Sequence, residues 1–77
     1  MRLFLGGYLD FYHPQRRSWL NVEIDQPALP LTEVLTGLGI PLGEVQLVIL
    51  NGEKVELQDA LVSAQDEVKL YSAVGGG

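Results

Sequence analysis

Few side chains in this 77-residue sequence could carry out chemistry. It contains no cysteine and one histidine. Without cysteine, the sequence can form no disulfide, no thiolate zinc site and no cysteine nucleophile. A single histidine is too few for a histidine-rich metal site. We interpret His13, followed by Pro14, as a loop residue rather than a ligand, and we predict no metal site. Asp59 and Asp66 do not show the pattern of a general acid–base pair. We predict that the protein is not an enzyme.

The most unusual feature is the run Gly75-Gly76-Gly77. At an average glycine usage near 7%, three glycines in a row have a chance probability of roughly 0.0003. A frayed end or an engineered extension would also explain them. Residues without side chains, however, can thread a narrow channel and present a carboxylate with nothing beside it. From Val74 onward, an extended chain reaches roughly 13–14 Å, which is enough to enter a partner's active site.

Composition and charge limit the kinds of partner that the protein is expected to bind. The chain has ten acidic and five basic residues, a net charge of −5, and 47% hydrophobic residues. The hydrophobic content argues against disorder, and the acidic balance argues against nucleic-acid binding. A basic partner surface is the expectation. The apolar run at 3–5 is too short for a signal peptide or a membrane span, so we predict no membrane partner and a cytoplasmic location.

The elements that must position the glycine run begin with a predicted hairpin. Residues 2–12 are predicted to form a strand with a bend at Gly6-Gly7, and residues 13–17 a turn. Residues 19–25 alternate, with Leu20, Val22 and Ile24 on one side, which is typical of a strand with one buried face.

A helix is predicted next, within the segment 31–39. Thr32 is the expected N-cap, and Gly39 is expected to end the helix with a positive φ. Leu31, Val34, Leu35 and Leu38 form its apolar stripe.

Two strands flanking Asn51-Gly52, at 46–50 and 53–57, predict a hairpin with a type I′ turn. A loop at 58–65 and a strand at 67–71 follow. The order predicts an α+β fold of the β-grasp kind. One main helix covers one face of a mixed sheet of four to five strands, and the first and last strands pair in its centre. We predict a β-grasp domain over 1–73 and a flexible glycine-rich tail over 74–77.

A single helix leaves one sheet face open, and this bears on partner binding. Residues 47–50 are all apolar, so either pair of the four leaves apolar side chains on the open face. We predict a partner-binding surface of Phe4, Leu47, Ile49 and Tyr71, continuing into Val74 and Gly75. Ordinary surface apolarity, or a lid from another segment, is the alternative.

The sequence resembles the ThiS/MoaD family of sulfur-carrier proteins, which are ubiquitin-like β-grasp domains. The resemblance rests on six ordered pieces: Leu31-Thr32-Glu33-Val34-Leu35, Leu38-Gly39-Ile40-Pro41, Glu44-Val45, Leu50-Asn51-Gly52, Asp66-Glu67-Val68 and Ala73-Val74-Gly75-Gly76-Gly77. These pieces cover residues 31–77. The first hairpin, with its insertion at 13–17, is longer than the family's usual turn.

The resemblance implies a mechanism in which the carrier is a substrate. An adenylating, ubiquitin-activating-like enzyme uses ATP to activate the terminal carboxylate, here on Gly77 beside Gly76. Sulfur then displaces AMP, and the thiocarboxylate donates sulfur to an accepting synthase. The carrier itself binds no cofactor. The ending favours the thiamine type. The small subunit of a molybdopterin synthase, and a ubiquitin-like modifier joined through Gly77 to lysines, remain open alternatives.

Overall fold

The structure is a computed structural model that describes residues 1–73. The predictions for Val74, Gly75, Gly76 and Gly77, including the flexible tail over 74–77, lie outside the described residues. Within residues 1–73 the secondary structure comprises seven strands, one α-helix and three short 3-10 turns. The strands and the helix are β1 (Arg2–Gly6), β2 (Trp19–Asn21), β3 (Leu29–Pro30), α1 (Leu31–Gly37), β4 (Val45–Leu50), β5 (Glu53–Val55), β6 (Leu61–Val62) and β7 (Glu67–Ser72).

Five strands form the main sheet, in the order β2-β1-β7-β4-β5. The central pair, β1 and β7, is parallel, and Leu3 lies opposite Val68 and Leu5 opposite Leu70. The other pairs in this sheet are antiparallel. The predicted pairing of the first and last strands is therefore confirmed. So is the β-grasp class, a mixed sheet with one main helix.

The core lies between this sheet and α1, because alternate strand residues point to the helix. The side chains with at most 2% of their surface exposed include Leu3, Leu5, Leu31, Leu35, Val48, Val68 and Leu70. The predicted helical stripe is confirmed, with Leu31 and Leu35 fully buried and Val34 and Leu38 packed against the core. A helix of seven residues is too short to be stable alone, so this packing holds it.

The prediction for the N-terminal end of α1 is wrong, and the prediction for its C-terminal end is confirmed. Thr32 is not the N-cap: Pro30 holds that position, and no side chain caps the helix. The Leu31 N–H instead donates to the Ala60 carbonyl at 2.9 Å, so a neighbouring segment satisfies the free donor. The C-terminal prediction is confirmed, because Gly39 has φ +77°. Its N–H donates to Thr36 O, and Ile40 N–H donates to Leu35 O, the bond pattern of a Schellman end.

The strand predicted over residues 2–12 is wrong beyond Gly6. The chain turns at Gly7 and forms a 3-10 turn at Leu9–Tyr12. Two tertiary contacts account for this change of direction. The Tyr8 N–H donates to Ser72 Oγ at 2.8 Å, and Leu9 is fully buried in the core.

Three further segments differ from the predictions in the length or type of their secondary structure. The strand predicted over 19–25 is regular only at Trp19–Asn21, although Ile24 is still buried at 8% exposure. The strand predicted over 53–57 stops at Val55, and a 3-10 turn begins at Leu57. The loop predicted over 58–65 contains β6, which pairs with β3 in a separate two-stranded sheet.

The predicted type I′ hairpin is confirmed, and a carboxylate braces it. Asn51 and Gly52 both have positive φ, 50° and 87°. Asn51 Nδ2 donates to Asp66 Oδ1 at 2.9 Å, and the Ser63 N–H donates to Asp66 Oδ2 at 2.7 Å. These hydrogen bonds, the one from Asn51 first, hold the pKa of Asp66 below its usual 3.8 against the opposing effect of desolvation.

We predict that Asp66→Asn lowers the unfolding free energy at neutral pH by about 1 kcal/mol, because the hydrogen bonds lose their charged acceptor. The folded-state pKa is depressed, so the contribution is present above 3.8 and is lost as pH falls through the lower folded value. Urea unfolding from neutral pH to well below that value should show the two proteins converging. Asp59→Asn is the control, because Asp59 makes no side-chain hydrogen bond within residues 1–73. A constant difference at all pH values would contradict this account.

Candidate functional site

The sheet face that points away from α1, called the open face below, carries the residues predicted to bind a partner. Strand alternation assigns residues to it, because those opposite the buried set must point the other way. Five side chains, one from each strand, form a row across it, called the central row. In order from β2 to β5 these are Trp19, Phe4, Lys69, Ile49 and Lys54.

Three aromatic rings form a cluster at one side of the open face. The ring centroids of Phe4 and Trp19 are 5.1 Å apart, and those of Phe4 and Tyr71 are 5.8 Å apart. Both pairs are tilted, a favourable arrangement that adds to simple burial. Trp19 still has 38% of its surface exposed. This aromatic cluster therefore presents apolar area to solvent while its members fix one another's positions.

Gly6 is the position that allows Tyr71 to join the cluster. Gly6 lies opposite Tyr71 in the parallel register of β1 and β7. A Cβ at Gly6 would lie 2.6 Å from Tyr71 Cδ1 and 2.9 Å from the Leu70 carbonyl oxygen. The tyrosine ring thus packs over bare backbone, which explains a glycine inside a strand.

The four predicted partner-binding residues within 1–73 share the open face. Leu47 lies opposite Tyr71, and Ile49 lies opposite Lys69, which in turn lies opposite Phe4. The pair left undecided by the sequence is resolved, because Val48 is 2% exposed and lies opposite the buried Leu70 on the helix side. The partner role of this surface stays a prediction. Val74 and Gly75, predicted to extend it, lie outside the described residues.

Sequence reasoning missed Trp19 and the cations of this face. The alternation over residues 19–25 placed Trp19 on the side of the strand that faces away from the apolar residues. A tryptophan on that otherwise polar side was the signal that could have identified it. Arg2 also lies on the open face, with its guanidinium carbon 4.3 Å from the Trp19 ring centroid and Nη1 3.4 Å from Glu67 Oε2. Across the part of the chain that the structure describes, Lys54 and Lys69 have no carboxylate within 4 Å.

A second exposed cluster lies on the segment after β1. Tyr8 and Phe11 are 62% and 58% exposed, and Arg16 stacks on the Phe11 ring at 4.4 Å. The Tyr12 hydroxyl donates a hydrogen bond to Glu44 Oε2. This bond is the main cause that raises the pKa of the Tyr12 phenol, with desolvation and the carboxylate charge adding to it. Because a strand was predicted over residues 2–12, these contacts were not anticipated from the sequence.

His13 and the metal question can be described from the same segment. His13 is 7% exposed, and its Nδ1 accepts a hydrogen bond from the Gln15 N–H at 2.9 Å. The imidazole therefore supports the loop, as the sequence interpretation has it. Among residues 1–73, no three His, Asp or Glu side chains are grouped so that they could hold a metal ion. No helix within the described residues has the length and apolar character needed to cross a membrane.

We predict that Gly6→Ala costs about 1–3 kcal/mol of unfolding free energy, because the new methyl group must displace either Tyr71 or backbone. Gly37→Ala is the control, since a Cβ there meets nothing within 4 Å, and it should gain up to about 1 kcal/mol from helix propensity. Urea unfolding measures both, and native-state Trp19 fluorescence reports displacement of the aromatic cluster. A Gly6→Ala protein as stable as the parent, with unchanged fluorescence, would refute the packing role.

One of the three comparisons with known proteins agrees with this architecture. The searches of curated proteins and of solved structures gave no match. The family described as Mut7-C ubiquitin matches residues 4–74, which include all the open-face residues named above except Arg2. The match supports the ubiquitin-like character that the sequence indicated, through a family description other than that of the sulfur carriers. With nearly the whole sequence matched, the chain belongs to the Mut7-C ubiquitin family.

Proposed function

We propose that this ubiquitin-like protein is a sulfur carrier. The reacting group is the α-carboxylate of Gly77 in the 77-residue polypeptide, and the sulfur goes to cofactor biosynthesis of the thiamine type. The protein is then a substrate of its partner enzymes and binds no cofactor of its own. The partners are an adenylating enzyme, which uses ATP to activate the carboxylate, and a synthase that accepts the sulfur. The proposal places the protein in the cytoplasm, where ATP is available to the adenylating enzyme.

The proposed chemistry takes two steps. A carboxylate oxygen of Gly77 attacks the α-phosphorus of ATP, pyrophosphate leaves, and an acyl adenylate forms. Hydrosulfide from the sulfur source then attacks the acyl carbon and expels AMP, and loss of the remaining S–H proton leaves a thiocarboxylate. The first step is needed because a carboxylate is a poor electrophile and AMP a good leaving group. No side chain of the carrier takes part, which suits a chain without cysteine.

One observation supports this proposal most directly: a single strand joins the open face to the glycine run. β7 contributes Lys69 and Tyr71 to the open face and ends at Ser72, three residues before Gly75. Ser72 is tied to the first loop through its Oγ, which accepts the Tyr8 N–H at 2.8 Å. A partner docked on the aromatic cluster therefore contacts Tyr71, which is six residues before Gly77 in the sequence. So short a separation along the chain is what a carrier activated at Gly77 requires.

We predict that the 77-residue protein, incubated with its cognate adenylating enzyme, ATP and a sulfur source, gains about 16 Da, as sulfur replaces one oxygen. Intact-mass spectrometry measures the gain. Omitting ATP should abolish it, because the unactivated carboxylate does not react. No gain with an enzyme that is active on another carrier would refute the proposal. High-mass conjugates in cell lysate would indicate a protein modifier, and a stable complex with a larger catalytic subunit would indicate the molybdopterin synthase type.

We also predict that deleting Gly77, or replacing Gly76 with Trp, abolishes the gain and leaves the melting temperature within about 1 °C of the parent. The buried hydrophobic residues of the described part of the chain all lie between Met1 and Leu70, so neither change replaces one of them. Thermal unfolding and intact mass are measured on the same samples. Gly43→Ala is the matched control, because a Cβ there meets nothing within 4 Å. A deletion that unfolds the domain would show that the glycine run is structural.

A further inference from the structure

Two lysines lie at the centre of an otherwise apolar and aromatic surface. Lys69 is half-buried in β7, with Phe4 opposite on one side and Ile49 opposite on the other. Lys54 is exposed in β5 and lies opposite Ile49. Neighbouring strands are about 4.8 Å apart, so the two lysine Cα atoms, with one strand between them, are about 10 Å apart.

The charge balance of this face is opposite to that of the whole chain. The strand residues on the open face include three cations, Arg2, Lys54 and Lys69, and one carboxylate, Glu67, which together give +2. Glu56, one residue past β5 with extended backbone, continues the alternation at the rim and lowers the balance to +1. The chain as a whole carries −5. Eight of the ten acidic residues therefore lie outside this set.

Burying this face creates a requirement on the partner. A lysine removed from water without a counter-charge is strongly unfavourable, and a rim charge that is poorly matched slows the encounter. Arg2 already has Glu67 at 3.4 Å. Lys54 and Lys69 contact no carboxylate among residues 1–73, so the partner must supply one for each. Between them, Ile49 requires an apolar contact.

We propose that the open face docks on an acidic partner surface. That surface carries two carboxylates roughly 10 Å apart on either side of an apolar side chain that covers Ile49. Next to them, an apolar region covers the aromatic cluster. This inference rests on the proposed function, since it identifies the partner as the adenylating enzyme. It reverses the expectation drawn from net charge, which was a basic partner surface.

The test measures ATP–pyrophosphate exchange by the adenylating enzyme as a function of carrier concentration. Lys69→Gln and Lys54→Gln should each raise the KM for the carrier about tenfold, and the double variant should raise it about a hundredfold. The kcat should stay unchanged, because Gly77 is intact. Lys69→Arg should keep most of the parent KM. In Lys69→Glu the loss should be larger, and an acidic-to-Lys change on the enzyme should restore it.

Thr36→Glu is the matched control, because it also lowers the net charge by one but lies exposed on α1, on the covered side of the sheet. Its KM should equal that of the parent, and urea unfolding checks that each variant is folded. If Thr36→Glu raises the KM as much as Lys69→Gln does, net charge governs the encounter and the docking proposal is overturned. Unchanged KM in folded lysine variants, with normal exchange by the parent, overturns the docking proposal alone. Absence of exchange with the parent protein overturns the proposed function and, with it, this inference.

Discussion

The parallel pairing of β1 with β7 is the interaction on which the rest of the structure depends. It joins segments more than sixty residues apart, as the contact between Arg2 and Glu67 shows, and closing so long a loop has an entropic cost. The helix-facing side of the pair supplies the centre of the core, with Leu3 against Val68. The other side places Phe4 beside Lys69. A slip of one residue would exchange the two sides, so core and open face are specified together.

The sheet has only one main helix within residues 1–73, and this explains why the open face keeps its side chains exposed to solvent. A seven-residue α1 covers one side of a five-stranded sheet, and it depends on that side for its own stability. Nothing within residues 1–73 covers the other side in the same way. Packing the rings of Phe4, Trp19 and Tyr71 against one another removes part of their area from water. It does so without a second layer, and the remaining exposed area stays available to a partner.

The features predictable from sequence were those decided by neighbouring residues. Gly39 ends its helix, and Asn51-Gly52 forms its turn, because local backbone preferences determine both. The segment after Gly6 was mispredicted because Ser72, far away in the sequence, determines its path. The pairing of β3 with β6 involves two residues per strand, too few to show a period.

The candidate site divides in the same way. Hydrophobic type and alternation were enough to select Phe4 and Tyr71, but residues 47–50 are all apolar and carry no alternation. Only the register with β7, which sets Val48 against Leu70, assigns Leu47 and Ile49 to the open face. The importance of Trp19 and Lys69 likewise depends on cross-strand neighbours. A single strand read alone does not contain that information.

Net charge and local charge act at different distances, and this decides which of them matters for docking. At physiological ionic strength the Debye length is about 8 Å, shorter than the width of a five-stranded sheet with strands about 4.8 Å apart. A partner approaching the open face therefore meets mainly the charges of the central row, Lys54 and Lys69. The nine acidic residues other than Glu67 contribute to the total of −5, but any that lie more than a Debye length from that row are largely screened from it. Recognition by this face thus follows the register that brings two lysines together around Ile49, while the overall acidity influences solubility and approach at low salt.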